Sequence, residues 1–135
     1  MNATVFALIG FTTWTLVLMM AMVSIRVGMV LTGKKRANAF TPDNANLSPF
    51  MQRLARAHAN CVENLPLVGI FLLYAMLAGR TSVTDPLATW LLTARMAQSV
   101  THLLSTSVIA VLIRFTFFLV QLGILAYYAW RFLPL

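Results

Sequence analysis

The sequence predicts an all-α integral membrane protein, built as a bundle of four transmembrane helices in a single domain over residues 1–135. Of the 135 residues, 60% are hydrophobic and only 10% are charged. Charged residues make up about a quarter of a typical soluble domain. The mean hydropathy is +0.83. Spans of about 20 apolar residues each would use most of the chain, so no separate soluble domain is expected.

Four apolar segments, separated by polar breaks, predict helices at residues 5–31, 49–78, 86–104 and 108–133. Ser48-Pro49 and Asp85-Pro86 are expected to begin the second and third helices, because a capping side chain before proline is typical of helix N-termini. The links after the second and third segments are short, which favours antiparallel neighbours. No Lys or Arg precedes the first segment, which is therefore expected to be a permanent helix and not a cleaved signal peptide.

The formal net charge of +7 arises from ten Lys and Arg residues against three acidic ones, Asp43, Glu63 and Asp85. Because the basic residues flank apolar segments, we expect them to set the topology and to contact anionic membrane lipids. No motif indicates a nucleic-acid partner. By the positive-inside rule, the first loop, with its run of basic residues 34–36, is cytoplasmic and both termini lie on the non-cytoplasmic side. The short loops suit a bacterial inner membrane.

Cysteine and histidine usage limits the possible chemistry. Cys61 is the only cysteine, so the chain forms no internal disulfide and cannot act through its own cysteine pair. No second His, Cys or carboxylate stands at metal-ligand spacing near His102, and His58 falls on a different predicted helix. We therefore predict no metal site.

The first part of the second helix carries a polar face. Arg56, Asn60 and Glu63 are spaced i, i+4 and i+7, so they share one side of the helix. Ionisable groups at membrane depth are costly and need partners. One hypothesis is a site for a small zwitterionic ligand, whose amine meets the carboxylate and whose carboxylates meet the guanidinium. The alternative is a polar seam that fixes this helix against a neighbour or another subunit. The spacing fits both.

Two further polar faces are expected. Arg95, Gln98 and His102 lie on one side of the third helix, which we expect to face the bundle interior. Arg114 lies near the start of the fourth helix, where its stem could extend along apolar surface to the membrane face. Alternatively, it is a fixed cation that stabilises an anion, such as a thiolate, in a low-dielectric site.

The run RLARAHANCVENLP, residues 53–66, resembles the helix-two signature of the MAPEG family, the membrane-associated proteins of eicosanoid and glutathione metabolism. The four predicted spans and the basic first loop fit this resemblance, which covers nearly the whole chain. It implies a homotrimer that binds glutathione between subunits near the cytoplasmic face. The implied activity is that of a glutathione-dependent transferase or peroxidase acting on lipophilic electrophiles. The implied glutathione-binding residues are Arg36, Arg56, Asn60, Glu63, Gln98 and His102. Arg114 is the implied catalytic residue, in support of the thiolate.

Three positions depart from the family pattern. His102 stands where the resemblance implies a tyrosine near glutathione, and Phe115 and Phe118 replace a serine and a tyrosine found in the prostaglandin synthase. These departures leave the alternative that the chain is a non-catalytic member of the family, either a scaffold or a subunit of a larger membrane complex. A small four-helix exporter with one buried carboxylate is a further alternative, although Glu63 is surrounded by arginine, which suits anions better.

Overall fold

The structure is a computed structural model that describes residues 1–134. It has four α-helices: α1 (Ala3–Leu31), α2 (Pro49–Leu77), α3 (Thr81–Leu104) and α4 (Val108–Phe132). The expected all-helical architecture is confirmed. By length and composition, α1, α2 and α4 can each cross a membrane. The 24 residues of α3 extend for about 36 Å, and α3 packs against all three other helices.

Glycine in the left-handed conformation ends both α1 and α2. The φ angles of Gly33 and Gly79 are +73° and +64°. At the end of α1, the Gly33 N–H donates to the Val30 carbonyl at 3.1 Å and the Lys34 N–H to the Met29 carbonyl at 2.9 Å. The same pair of bonds closes α2. This is the Schellman arrangement, which satisfies carbonyls that a helix end leaves without partners.

Asp85 does not begin its own helix. The predicted start of the third helix at residue 86 is wrong, because α3 begins at Thr81 and Pro86 lies inside it. The Asp85 Oδ1 instead accepts the Thr4 backbone N–H at 2.9 Å and the Thr4 hydroxyl at 2.6 Å. The carboxylate therefore caps the N-terminus of α1, where the first N–H groups have no partner within the helix.

The apolar core consists of two clusters, one toward each end of the bundle. The first surrounds Phe11, Leu91 and Tyr128. The second surrounds Leu18, Leu54, Ala57 and Cys61. At the first cluster, the buried Tyr128 hydroxyl donates to the Thr84 carbonyl at 3.0 Å, which ties α4 to α3. The candidate site lies at the end of the second cluster.

A buried asparagine anchors the first loop. Asn44 is fully buried, has a φ of +56° and donates from Nδ2 to the Met51 carbonyl at 2.7 Å. Its Oδ1 accepts from the Arg26 guanidinium. Asn44 thus joins the end of α1 to the start of α2. Next to it, hydrogen bonds from the Thr41 hydroxyl and the Ala45 N–H lower the pKa of the exposed Asp43 carboxyl.

Candidate functional site

Two adjoining clefts lie at the end of the bundle where α3 ends and α2 and α4 begin. The first has a volume of about 450 Å³, and its polar lining consists of Asn60, Gln98, His102 and Arg114. The second, of about 380 Å³, is lined by Arg56, Ala59, Asn60, Glu63, His102 and Arg114. Three of these side chains line both clefts, so the clefts form one site. Each volume falls within the range of small-molecule sites, roughly 300–1,000 Å³.

The site brings together six of the seven residues expected from the sequence. The seventh, Arg36, is exposed in the loop after α1 and lines neither cleft. Its contact with a ligand stays a prediction.

The polar face of α2 divides into two parts. Arg56 and Glu63 are exposed on the second cleft, where they are open to a ligand or to another subunit. Asn60 is half-buried between them and accepts hydrogen bonds from α3. Within one chain, only Asn60 of these three residues therefore fixes α2 against a neighbouring helix, as the polar-seam alternative predicts. Arg56 and Glu63 remain available for binding.

Arg114 is held at the cleft by a histidine. Its Nη1 lies 3.2 Å from the His102 Nδ1. A guanidinium has donors only, so Nδ1 must accept, and a neutral His102 then carries its proton on Nε2. The interaction fixes the guanidinium in the wall that the two clefts share.

Arg53 has a different role from its neighbours on α2. Its Nε donates to the Leu103 carbonyl at 2.9 Å, and its guanidinium lies over the Phe50 ring. Leu103 is in the last turn of α3, where carbonyls have no partner within the helix. Arg53 therefore holds the end of α3, which carries His102, against α2.

A network of hydrogen-bonded polar side chains, here called the polar ladder, lies behind the site and consists of Asn60, Arg95, Gln98 and Gln121. Arg95, Gln98 and His102 are all buried, as expected from the sequence. The Gln98 Nε2 lies 3.4 Å from the Asn60 Oδ1, and the Gln98 Oε1 accepts from the Gln121 Nε2 at 2.7 Å. The Arg95 Nη1 donates to the same Asn60 oxygen. The ladder connects α2, α3 and α4, so the position of Asn60 depends on all three helices.

Arg95 and Gln121 were not among the expected site residues. On α3, the helical spacing places Arg95 on the same face as Gln98. On α4, Gln121 follows one turn after Phe118. That periodicity was a usable indication of a shared polar layer. The contact of Arg95 with Asn60 across 35 residues of sequence was not predictable from spacing.

The site is rich in donors and has one acidic group. Arg56 and Arg114 offer guanidinium N–H groups, and Glu63 is the only one of the three acidic residues that lines these clefts. A matching ligand carries more than one anionic or carbonyl acceptor and one ammonium. Apart from Arg114, the wall contributed by α4 is apolar and consists of Val111, Leu112, Phe115 and Phe118. Within residues 1–134, no three His, Cys, Asp or Glu side chains gather as metal ligands.

The sequence model of the MAPEG family matches residues 4–133. Neither the curated proteins nor the solved structures gave a significant match.

Proposed function

The chain belongs to the MAPEG family, and from that premise we propose that it is a glutathione-dependent membrane transferase or peroxidase acting on lipophilic electrophiles. Membership fits glutathione-related transfer or eicosanoid metabolism in general. Together with its apolar helices, it identifies a multi-pass integral membrane protein. The observation that carries the proposal is the placement of Arg114 between the donor-rich cleft and the apolar wall of α4.

The polar groups of the site suit glutathione. This peptide carries two carboxylates, one ammonium and one thiol. Glu63 would take the ammonium, and Arg56 would take a carboxylate in a charge-assisted pair. Asn60 would contribute a further hydrogen bond. Holding the peptide at several points converts an encounter into a fixed geometry for reaction.

Arg114 would stabilise the thiolate. A free thiol has a pKa of about 8.5, so at neutral pH most of it is protonated. A guanidinium within a low-dielectric site favours the anion, because Coulomb attraction there is much stronger than in water. Arg114 would act as an electrostatic stabiliser and not as a base, since it has no free acceptor. His102 keeps the guanidinium in position.

The apolar wall would receive the electrophile. Phe115 is 54% exposed and Leu112 is 59% exposed in the single chain, so this wall is accessible to an apolar molecule arriving through lipid. In conjugation, the thiolate sulfur forms a bond to the electrophilic carbon, and the leaving group departs with the bonding electron pair. In peroxide reduction, the thiolate attacks the peroxide oxygen and the released alkoxide takes up a proton. A second glutathione thiol then displaces water from the sulfenic acid to give the disulfide.

We further propose that the protein is a homotrimer whose four helices all cross the membrane. The exposure of Arg56 and Glu63 supports this, because another subunit would enclose them. Polar residues on α3 lower its hydropathy, but Arg95, Gln98 and His102 are buried inside the bundle. The first loop would face the cytoplasm and both termini the opposite side, in a bacterial inner membrane, with anionic lipids against the basic residues.

The test is titration of the purified, detergent-solubilised protein with glutathione, followed by addition of chlorodinitrobenzene. Binding with turnover is expected. Glu63→Gln, which removes the ammonium's partner and keeps the side chain's shape, should weaken binding about tenfold. Absence of binding would contradict the proposal. Binding without turnover would instead favour a scaffold, and proton-coupled uptake into vesicles would favour an exporter.

A further inference from the structure

Arg95 is a buried cation that has no carboxylate partner within residues 1–134, and the Cys61 thiol is the acidic group beside it. Its side chain is 1% exposed, and its guanidinium lies over the Phe11 ring, with 5.4 Å between Cζ and the ring centroid. Of its nitrogens, Nη1 donates to Asn60, whereas Nε and Nη2 are buried and have no partner within residues 1–134. Burying a charge that is not paired destabilises a protein substantially. A charge kept at such a cost invites a functional explanation.

The contact with Arg95 determines which way the Asn60 amide points. A guanidinium only donates hydrogen bonds, so the atom of Asn60 that faces it must be the oxygen. That oxygen also faces the Gln98 Nε2 at 3.4 Å. The Nδ2 of Asn60 is then the group left for the clefts, both of which Asn60 lines.

The neighbouring glutamines reinforce this orientation. Gln121 donates from Nε2 to the Gln98 Oε1 at 2.7 Å, so the Gln98 amide nitrogen is the end turned toward Asn60. The Asn60 oxygen is therefore approached by donors from Arg95 and Gln98, and at 3.5 Å also by the Asn64 Nδ2. A flipped amide would place the Asn60 nitrogen against the guanidinium of Arg95, where two donors would face each other.

We propose that Arg95 is a positioning residue that locks the Asn60 amide with its NH₂ toward the cleft, so that this position recognises a carboxylate or carbonyl of the bound peptide and rejects a donor. This proposal rests on the function proposed above and deepens it. It assigns a polarity to one contact: the ligand group that meets Asn60 is an acceptor. It also gives a reason for a buried guanidinium that has no carboxylate partner within the described residues.

The first test needs no ligand. Asn60→Asp supplies the missing anion beside Arg95, so the melting temperature of the ligand-free protein should rise. In an Arg95→Met background, the same substitution should lower the melting temperature, because the new carboxylate is buried without a cation. An equal change in both backgrounds would overturn the proposed contact. If Arg95→Met does not fold, the Asn60→Asp single variant decides, and an unchanged or lower melting temperature would contradict the proposal.

The second test measures the Kd for glutathione by titration calorimetry. Arg95→Met should weaken binding about tenfold, and in an Asn60→Ala background it should have no further effect. Asn60→Asp should also weaken binding, although it stabilises the fold, because it presents an acceptor where a donor is required. Tyr128→Phe serves as the control, since it removes a buried hydrogen bond at the far end of the bundle and should leave the Kd unchanged.

The outcomes separate the two proposals. If the wild-type protein binds glutathione and Arg95→Met binds it as tightly, the positioning role is wrong and the proposed function stands. If the Arg95→Met effect is equal in the wild-type and Asn60→Ala backgrounds, Arg95 does not act through Asn60. If the wild-type protein does not bind glutathione, both proposals fail, whereas the melting temperatures still report on the contact itself.

Discussion

His102 and Arg114 meet across the turn between α3 and α4, with 3.2 Å between Nδ1 and Nη1. The two residues are 12 positions apart. His102 lies in the last turn of α3, and Arg114 lies in the second turn of α4. The contact depends on the short connection between the helices. It gives Arg114 a fixed direction in a cleft whose outer wall is apolar.

Replacing the histidine tests this restraint. His102→Phe removes the acceptor, so Arg114 is expected to move in the cleft and turnover to fall about tenfold. His102→Gln retains an acceptor oxygen and should lose less. The measurement is kcat with saturating glutathione. Equal turnover in the Phe and Gln variants would show that the hydrogen bond does not position Arg114.

Removing the cation itself has a larger effect on the chemistry. Arg114→Ala should lower kcat roughly a hundredfold, because it removes the charge that stabilises the thiolate. The Kd for glutathione should change much less, since Arg56 and Glu63 still hold the peptide. Arg114→Lys, which keeps the charge, should retain part of the activity. Equal losses in kcat and in binding would contradict the thiolate role.

The apolar wall is expected to affect the second substrate only. Phe118→Ala should raise the KM for a lipophilic electrophile several-fold, because an aromatic ring that lines the cleft is lost. The Kd for glutathione should not change. Leu119→Ala is the matched control, since Leu119 is on the same helix, is 50% exposed and does not line the cleft. A similar effect of both variants would indicate a general loss of packing in α4.

The cap between α3 and α1 can be tested by a double-mutant cycle. Asp85→Ala should destabilise the protein by about 1 kcal/mol, as expected for loss of a helix cap. Thr4→Val removes the hydroxyl partner of the same carboxylate. If Asp85 caps α1, the two effects on thermal unfolding are not additive. Additive effects would show that the contact between the Asp85 carboxylate and the Thr4 hydroxyl does not contribute to stability.

The sequence predicted those parts of the fold that depend on neighbouring residues. Apolar runs of sufficient length identify the helices. Ser48 accepts from the Met51 N–H at 3.3 Å, as its position before Pro49 indicated. The predicted start of α3 was wrong because Asp85-Pro86 has the local pattern of a helix start. The Asp85 carboxylate instead binds Thr4, 81 residues away. A pattern of adjacent residues carries no information about such a distant partner.

The candidate site was predictable to a similar degree. The helical period placed Arg56, Asn60 and Glu63 on one face, and all three line the second cleft. The helical periodicity did not show that Asn60 is hydrogen-bonded to α3, whereas Arg56 and Glu63 are exposed. That difference depends on Arg95, which reaches Asn60 from another helix. The position of Arg36 relative to a ligand depends on the first loop and on the assembly, which helical spacing does not describe.

Thiolate stabilisation by Arg114 is best tested by the ultraviolet difference spectrum of glutathione bound to the detergent-solubilised protein at neutral pH. A site in which Arg114 stabilises the thiolate should produce the thiolate absorption band on binding, although free glutathione at the same pH is mostly protonated. Arg114→Ala should bind glutathione without that band. Binding to the wild-type protein with no thiolate band, or an undiminished band in Arg114→Ala, would show that Arg114 does not stabilise the thiolate.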